Sequence, residues 1–290
     1  MPVLGFVNLF KPAGMTSVEC GTFVRRVYGS GGPKLPVGHL GTLDPDAAGV
    51  LPLALGKATR LLPLLEDRRK AYAFTLVLGR ATDTGDAGGK TVRESAVPAD
   101  AESLLRAAAE RFVGSSEQIP PMVSALHHQG RRLYDLAREG VVVERKPRKI
   151  AIYGLDVLGV RGPEARLRVA CSEGTYVRTL CEDLGAAIGS AAHMGALLRE
   201  AAGPFVVYES RLPLDVAARP EEALISPERV IPFPTIVLDG RAIADFRAGR
   251  MVALPAGAPG RHVFVRDGSR TLVGVGEVVG TLLAPRKVFQ

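Results

Sequence analysis

Between Gly38 and Gly49 the chain reads GHLGTLDPDAAG, a histidine, a threonine and two aspartates framed by glycines, directly before the apolar run Val50, Leu51, Pro52, Leu53, Ala54, Leu55. A polar, glycine-rich stretch that feeds a core element predicts a loop held by a rigid scaffold, where binding and catalytic side chains concentrate. Its candidate reactive group is the carboxylate of Asp44; the competing reading is a turn aspartate, because Asp-Pro starts turns by its own geometry. In CSEGTYVRTLCEDLG, Arg178 falls at the start of a predicted helix after a glycine turn, where it could reach into a cleft. The competing reading is a weak Arg178–Glu182 surface pair one helical turn apart. In RRKAYAFTLVLG, Tyr72 follows three cations, Arg68, Arg69 and Lys70. That combination suits base stacking beside a phosphate chain, or a strand tyrosine with a solvated charge run. QIPPMVSALHHQGRRLYDLAREG, with RKPRK just after it, sets Arg131 and Arg132 beside Tyr134. Cations alternating with a ring are the composition of a surface for single-stranded or looped RNA.

Other chemistries fail on spacing. In GVLPLALGKAT the glycines, Gly49 and Gly56, are too far apart for a phosphate loop, and Ala58 stands where a Ser or Thr should follow the lysine. GRATDTGDAGG lacks the alternating acids and closing Glu of a calcium loop. The five histidines, His39, His127, His128, His193 and His262, show no zinc pattern, so no metal site is expected. Cys20, Cys171 and Cys181 form neither a CxxC pair nor an even set, which points to a reducing, cytoplasmic setting. No apolar run approaches the roughly 20 residues of a membrane span, and the first residues lack the pattern of a signal peptide. A net charge of +7 on 290 residues makes a polyanion a plausible partner, on equal terms with an ordinary basic enzyme.

Several elements must position these residues. Val3 to Phe10 predicts a strand, KPAGMTS a turn and helix cap, and Ser17 to Tyr28 a helix. Ala71 to Gly79 predicts a strand, and DAESLLRAAAERFVG a helix with Leu104, Leu105, Ala108 and Phe112 at helical spacing. RLRVACSEG predicts a strand leading into a helix that Thr175 could cap, with Val177, Leu180, Leu184 and Ile188 toward the core and Arg178 in its first turn. After the proline-rich stretch ERVIPFPTI the texture changes to short elements, with a hairpin signal at Asp267-Gly268-Ser269, so a small β-rich domain is expected from about Thr235.

Together these stretches resemble a known family. GHLGTLDPDAAGVLPLALGKATR is similar to the signature of the TruB family of tRNA pseudouridine synthases. KPAGMTS, KAYAFTLVLG with TDTGD, QIPPMVSAL with GRRLYDLAREG, and CSEGTYVRTLCEDLG follow that family's order, and the tail GVGEVVGTLLAPRKVF is similar to its terminal PUA-type domain. The resemblance implies an α+β protein. Its catalytic domain (1–232, with an RNA-binding insertion at about 118–150) would have the pseudouridine synthase fold, a central mixed, mainly antiparallel sheet flanked by helices and loops. A small β-rich PUA-like RNA-binding domain would follow (235–290).

The resemblance also implies roles. Asp44 would be the catalytic aspartate, Tyr72 the tyrosine that stacks on the target base and Arg178 the basic partner of Asp44. His39 would lie in the T-loop-binding region beside the flipped base, with Lys11, Lys70, Tyr134, Tyr176, Arg131 and Arg132 as further substrate-binding candidates. The family usually has Lys where this chain has His127, and a basic residue where it has Glu200. The implied reaction isomerises a T-loop uridine of tRNA (position 55) without cofactor or guide RNA, by a chain that works alone as a monomer. Such an aspartate must be ionised. Burial raises its pKa, an arginine within about 4 to 6 Å lowers it by roughly 1 to 3 units, and the arginine is expected to prevail.

Overall fold

The computed structural model describes residues 3–29, 34–124, 127–128, 130–133, 136, 139–141, 143–254 and 260–289. Within them lies a nine-stranded sheet. Its long strands are β1 (Leu4–Lys11), β3 (Ala48–Gly56), β4 (Lys70–Leu78), β6 (Arg148–Arg161), β7 (Glu164–Cys171) and β8 (Ala192–Ala202), with short β2 (Val37–His39) and β5 (Gly114–Gln118). The order is β1-β3-β8-β4-β7-β6-β5, with β2 and Phe205–Val206 at the side. Pairing is antiparallel except between β8 and β3, which run parallel. The sheet is therefore mixed and mainly antiparallel, as the resemblance implies.

Periodicity explains which face is covered. In β4, Tyr72, Phe74, Leu76 and Leu78 alternate inward, and together with Leu167 and Val169 of β7 they pack under α2 (Ala101–Phe112) and α3 (Val177–Ala187). The helical residues that meet them include Leu105, Ala108, Leu180 and Leu184, all at the predicted spacing. At the other end, Val7, Leu9, Leu51, Leu53 and Leu55 pack on Cys20 and Val24 of α1 (Ser17–Tyr28). That helix starts on a capping box in which Thr16 and Glu19 satisfy each other's backbone N–H.

Beyond residue 234 a five-stranded sheet is built from β9 (Thr235–Val237), β10 (Val252–Ala253), β11 (His262–Arg266), β12 (Leu272–Val279) and β13 (Leu282–Val288), in the order β9-β11-β12-β13-β10, with α4 (Gly240–Arg247) against it. The Asp267 to Ser269 segment turns β11 into β12, as its composition predicts. One apolar cluster ties the two sheets: Phe264 and Val275 pack with Phe6, Val50, Ala54, Val230 and Ile231. The proline-rich stretch is therefore buried mortar at residues 230 and 231. Among the described residues no helix is long and apolar enough to cross a membrane.

Candidate active site

Asp44 lies in the loop between β2 and β3, and the loop is fastened from several sides. Leu43 exchanges two hydrogen bonds of 3.0 Å with the Ser17 hydroxyl at the start of α1. Lys11, at the end of β1, is fully buried and its ammonium donates to the carbonyls of Pro12, Pro45 and Ala47 at 2.9, 2.8 and 2.6 Å. An ammonium has three N–H donors, and here all three serve backbone. Lys11, expected at the substrate, is thus a loop anchor. Gly41 and Gly49 take φ of +89° and +111°, in the left-handed region that favours glycine, and a Cβ on Gly49 would fall 2.3 Å from the Arg199 carbonyl oxygen.

Arg178 occupies the first turn of α3, as its spacing predicts, but it is 4 % exposed. It pairs with Asp44 at 3.1 Å and lies 3.8 Å from Asp86. It also donates to the carbonyls of Val123 (2.7 Å) and Thr84 (3.3 Å). The surface pair with Glu182 is replaced by this buried network. Thr175 does not cap α3; Tyr176 holds the cap position with extended backbone, and its N–H and C=O are both taken by the Gln118 amide, at 2.8 and 3.1 Å. The cap residue is displaced because the segment has to dock on β5 before it can turn helical.

A cavity of about 730 Å³ opens over Asp44, lined also by His39, Lys70, Tyr72, Tyr176 and Arg178. Six of the ten residues singled out from the sequence therefore share one wall. Lys11 lies behind the loop, while Arg131, which pairs with Glu139, and the backbone of Arg132 sit on a separate short hairpin. Tyr134 lies outside the described residues. Glu200, where the family usually has a basic residue, pairs with Arg168 at 2.8 Å.

The electrostatics correct one expectation. Asp44 stands above the ordinary carboxylate range: burial is the largest cause, Arg178 opposes it, and the nearby Asp86 carboxylate pushes further up. The arginine does not prevail, because burial outweighs it and a second acid, Asp86, lies on the same guanidinium. Lys70 is 6 % exposed, donates to the Leu40 carbonyl at 3.2 Å, and is brought down to about 8 by burial and by the neighbouring Arg199 cation. The Tyr72 hydroxyl is pushed up by burial, with the neighbouring Arg199 guanidinium opposing. Asp86 and Arg199 are the residues that sequence reasoning missed. For Asp86 the available signal was the acid-rich turn TDTGD; for Arg199 it was a lone cation inside the apolar run ALLREAA.

Solved structures with this architecture give the class. The chain is 26% identical, with a TM-score of 0.69 over 99% of this chain and 85% of the other, to a protein in the crystal structure of a Cbf5-Nop10-Gar1 complex. It is also 26% identical, with a TM-score of 0.66 over the same shares, to one in an H/ACA RNP bound to a substrate RNA containing 2'-deoxyuridine. Residues 30–177 match the model of the TruB family pseudouridylate synthase N-terminal domain. Proteins called tRNA pseudouridine synthase B are 41% identical in Dechloromonas aromatica, over 99% of this chain and 95% of that protein, and 40% identical in Heliobacterium mobile, over 100% and 96%. The chain belongs to the TruB family of pseudouridylate synthases.

Proposed function

We propose that the chain converts one uridine in the T-loop of tRNA to pseudouridine, acting in the cytoplasm as a monomer and without a guide RNA. The observation that carries this reading is the Asp44–Arg178 pair at 3.1 Å, set with the Tyr72 ring in the wall of one cavity. In this reading residues 1–232 are the catalytic domain, the segment at about 118–150 is an RNA-contacting insertion, and 235–290 is a PUA-like RNA-binding domain.

The reaction breaks the bond from N1 of uracil to C1′ of the ribose, turns the base, and joins C1′ to C5. The C5 proton leaves to water and N1 ends protonated, so atoms and electrons balance without a co-reactant. A stacked base must first be flipped into the cavity, at a cost of a few kcal/mol. The ring of Tyr72, with Tyr176 across the same wall, offers the flipped base a surface to stack on, and His39 at the rim stands where the vacated stack would be. Asp44 acts as the ionised carboxylate. Attack at C1′, attack at C6 and help to a glycal route all begin from that species. For removal of a C2′ proton on the glycal route, Asp44 is the better base, because burial keeps the Tyr72 phenol neutral. Arg178, held by Val123 and Thr84, orients the carboxylate.

A minimal T-arm hairpin with no other RNA tests the proposal. Pseudouridine formed at the single T-loop uridine is the expected result; formation only after a guide RNA is added would overturn the stand-alone reading. A second reading, an RNA-folding protein without catalysis, predicts that Asp44→Asn leaves every measurable activity intact.

A further inference from the structure

Arg199 is 1 % exposed, one of the most deeply buried side chains in the molecule. Its place follows from register. On β8 it stands opposite Tyr72 of the antiparallel neighbour β4 and opposite Gly49 of the parallel neighbour β3. Together with Leu198, which pairs with Ala48 and Ala73, it bridges the strand bearing the tyrosine and the strand leaving the Asp44 loop, and of the two it is the one that carries polar donors. Its guanidinium uses that position fully: Nε donates to the Val50 carbonyl at 2.7 Å, Nη1 to that of Thr42 at 3.2 Å and Nη2 to that of Gly41 at 3.0 Å. The guanidinium also lies beside the Tyr72 hydroxyl, close enough for each to shift the other's titration. Among the described residues no carboxylate pairs with it.

A buried cation without a counter-ion is costly, and a fold that needed only a filled core would place an apolar side chain here. What the guanidinium adds is a planar fork whose donors are fixed relative to one another. Here the fork grips the loop before Asp44, grips the strand that leaves it, and lies beside the hydroxyl of the ring in the lining of the same cavity. Gly49 leaves no slack, since the backbone nitrogen of Arg199 lies only 2.7 Å from where its Cβ would be.

We propose that Arg199 is a positioning residue that holds the Asp44 loop and the Tyr72 ring in one frame, so that carboxylate and stacking ring address the same nucleotide. This rests on the function proposed above.

The test uses single-turnover tritium release from tRNA labelled at uracil C5, at saturating enzyme, for the unmodified chain, Arg199→Lys, Arg199→Gln, Tyr72→Phe and Arg199→Lys with Tyr72→Phe. Arg199→Lys is expected to keep its circular dichroism and to bind tRNA within about threefold, yet to react about 100-fold more slowly, the usual result of moving a reacting group by about 1 Å. Arg199→Gln, without the charge, should be slower still. In the Tyr72→Phe background the same Arg199→Lys change should cost at most about tenfold, because linked groups are not additive. A folded Arg199→Lys that reacts within about threefold of the unmodified chain, a loss that lies in tRNA binding alone, or full additivity with Tyr72→Phe would each overturn the proposal. Failure of both variants to fold would overturn it too, by making Arg199 a requirement of the fold alone. An unmodified chain that releases no tritium would instead strike the functional reading, so the two failures are distinguishable.

Discussion

The cleft and the terminal sheet treat charge in opposite ways. Around Asp44 the acids are pushed up and the bases down: Asp44 and Glu182 stand above their ordinary range, while Lys11, Lys70 and Arg199 stand below it, each chiefly through burial. In the terminal sheet Asp245, Asp267 and Glu277 are pulled down by hydrogen bonds and by arginines at the surface. There, Arg247 meets Asp267 at 2.7 Å and Arg261 meets Glu277 at 3.1 Å, each arginine exposed to solvent. Charges in the cleft are held in buried surroundings at a cost to stability, where Lys11 and Arg199 serve the backbone and Asp44 and Lys70 line the cavity, whereas those of the sheet are paired at the surface. The difference teaches where substitution should reach turnover and where it should not.

The largest break expected is at Asp44. Asp44→Asn removes the ionised oxygen with little change of volume, and turnover should fall by about 10³-fold or more with tRNA binding nearly unchanged. Its melting temperature at neutral pH should not drop below that of the unmodified chain. The sign follows from the raised pKa: the native state holds the Asp44 proton more tightly than the unfolded state, so stability is lost as pH rises through this titration, and the amide escapes that cost. A melting point clearly below the parent would show that the pair with Arg178 stabilises the fold. Next, Tyr72→Phe keeps the ring and loses the hydroxyl beside Arg199; a loss of about tenfold or more in single-turnover rate is expected, and an unchanged rate would remove any proton-transfer role for the hydroxyl.

Two smaller effects sharpen the comparison. The acid limb of the rate profile should fall at a pH above the ordinary aspartate value of 3.8, because Asp44 must be ionised and stands above it; a limb at or below that value would contradict the cleft electrostatics. Lys70, at about 8 in the fold against 10.5 in free peptide, binds fewer protons folded than unfolded between those values. Chemical denaturation should therefore show the parent gaining stability relative to Lys70→Met as pH rises from 8 to 10.5, with the lysine's penalty fully present below 8. In the terminal sheet, Asp267→Asn should leave turnover unchanged and lower the melting temperature slightly, because the ionised carboxylate there accepts from Ser269 and Thr271.

Much of the scaffold was legible in sequence because local pattern and tertiary environment agree. The apolar spacing of α1, α2 and α3 and the alternation of β4 survive folding intact. At the site, Asp44, Tyr72 and Arg178 each stood locally beside a bland alternative, and only the order of the motifs around them set them together; the fold puts all three in the lining of one cavity. Arg199 was not legible. A cation between Leu198 and Glu200 reads as one of two solvated charges, but irregular pairing with β4 on both sides of it, between Met194 and Leu197 and between Arg199 and Ala201, breaks the alternation and turns it inward. Lys11 was misread for a similar reason, since its donors are consumed by carbonyls of a loop 34 to 36 residues away. Asp44's raised pKa comes chiefly from burial, with a further push from Asp86, which only the folded chain brings beside Arg178.

The central claim, that this cavity isomerises a T-loop uridine through Asp44, is tested most directly by incubating the chain with tRNA tritiated at uracil C5, with no other RNA present, and counting tritium released to water. Stoichiometric release, lost when the T-loop uridine is replaced and lost again with Asp44→Asn, is the predicted result. Tight tRNA binding with no release, or release that persists with Asp44→Asn, would contradict it.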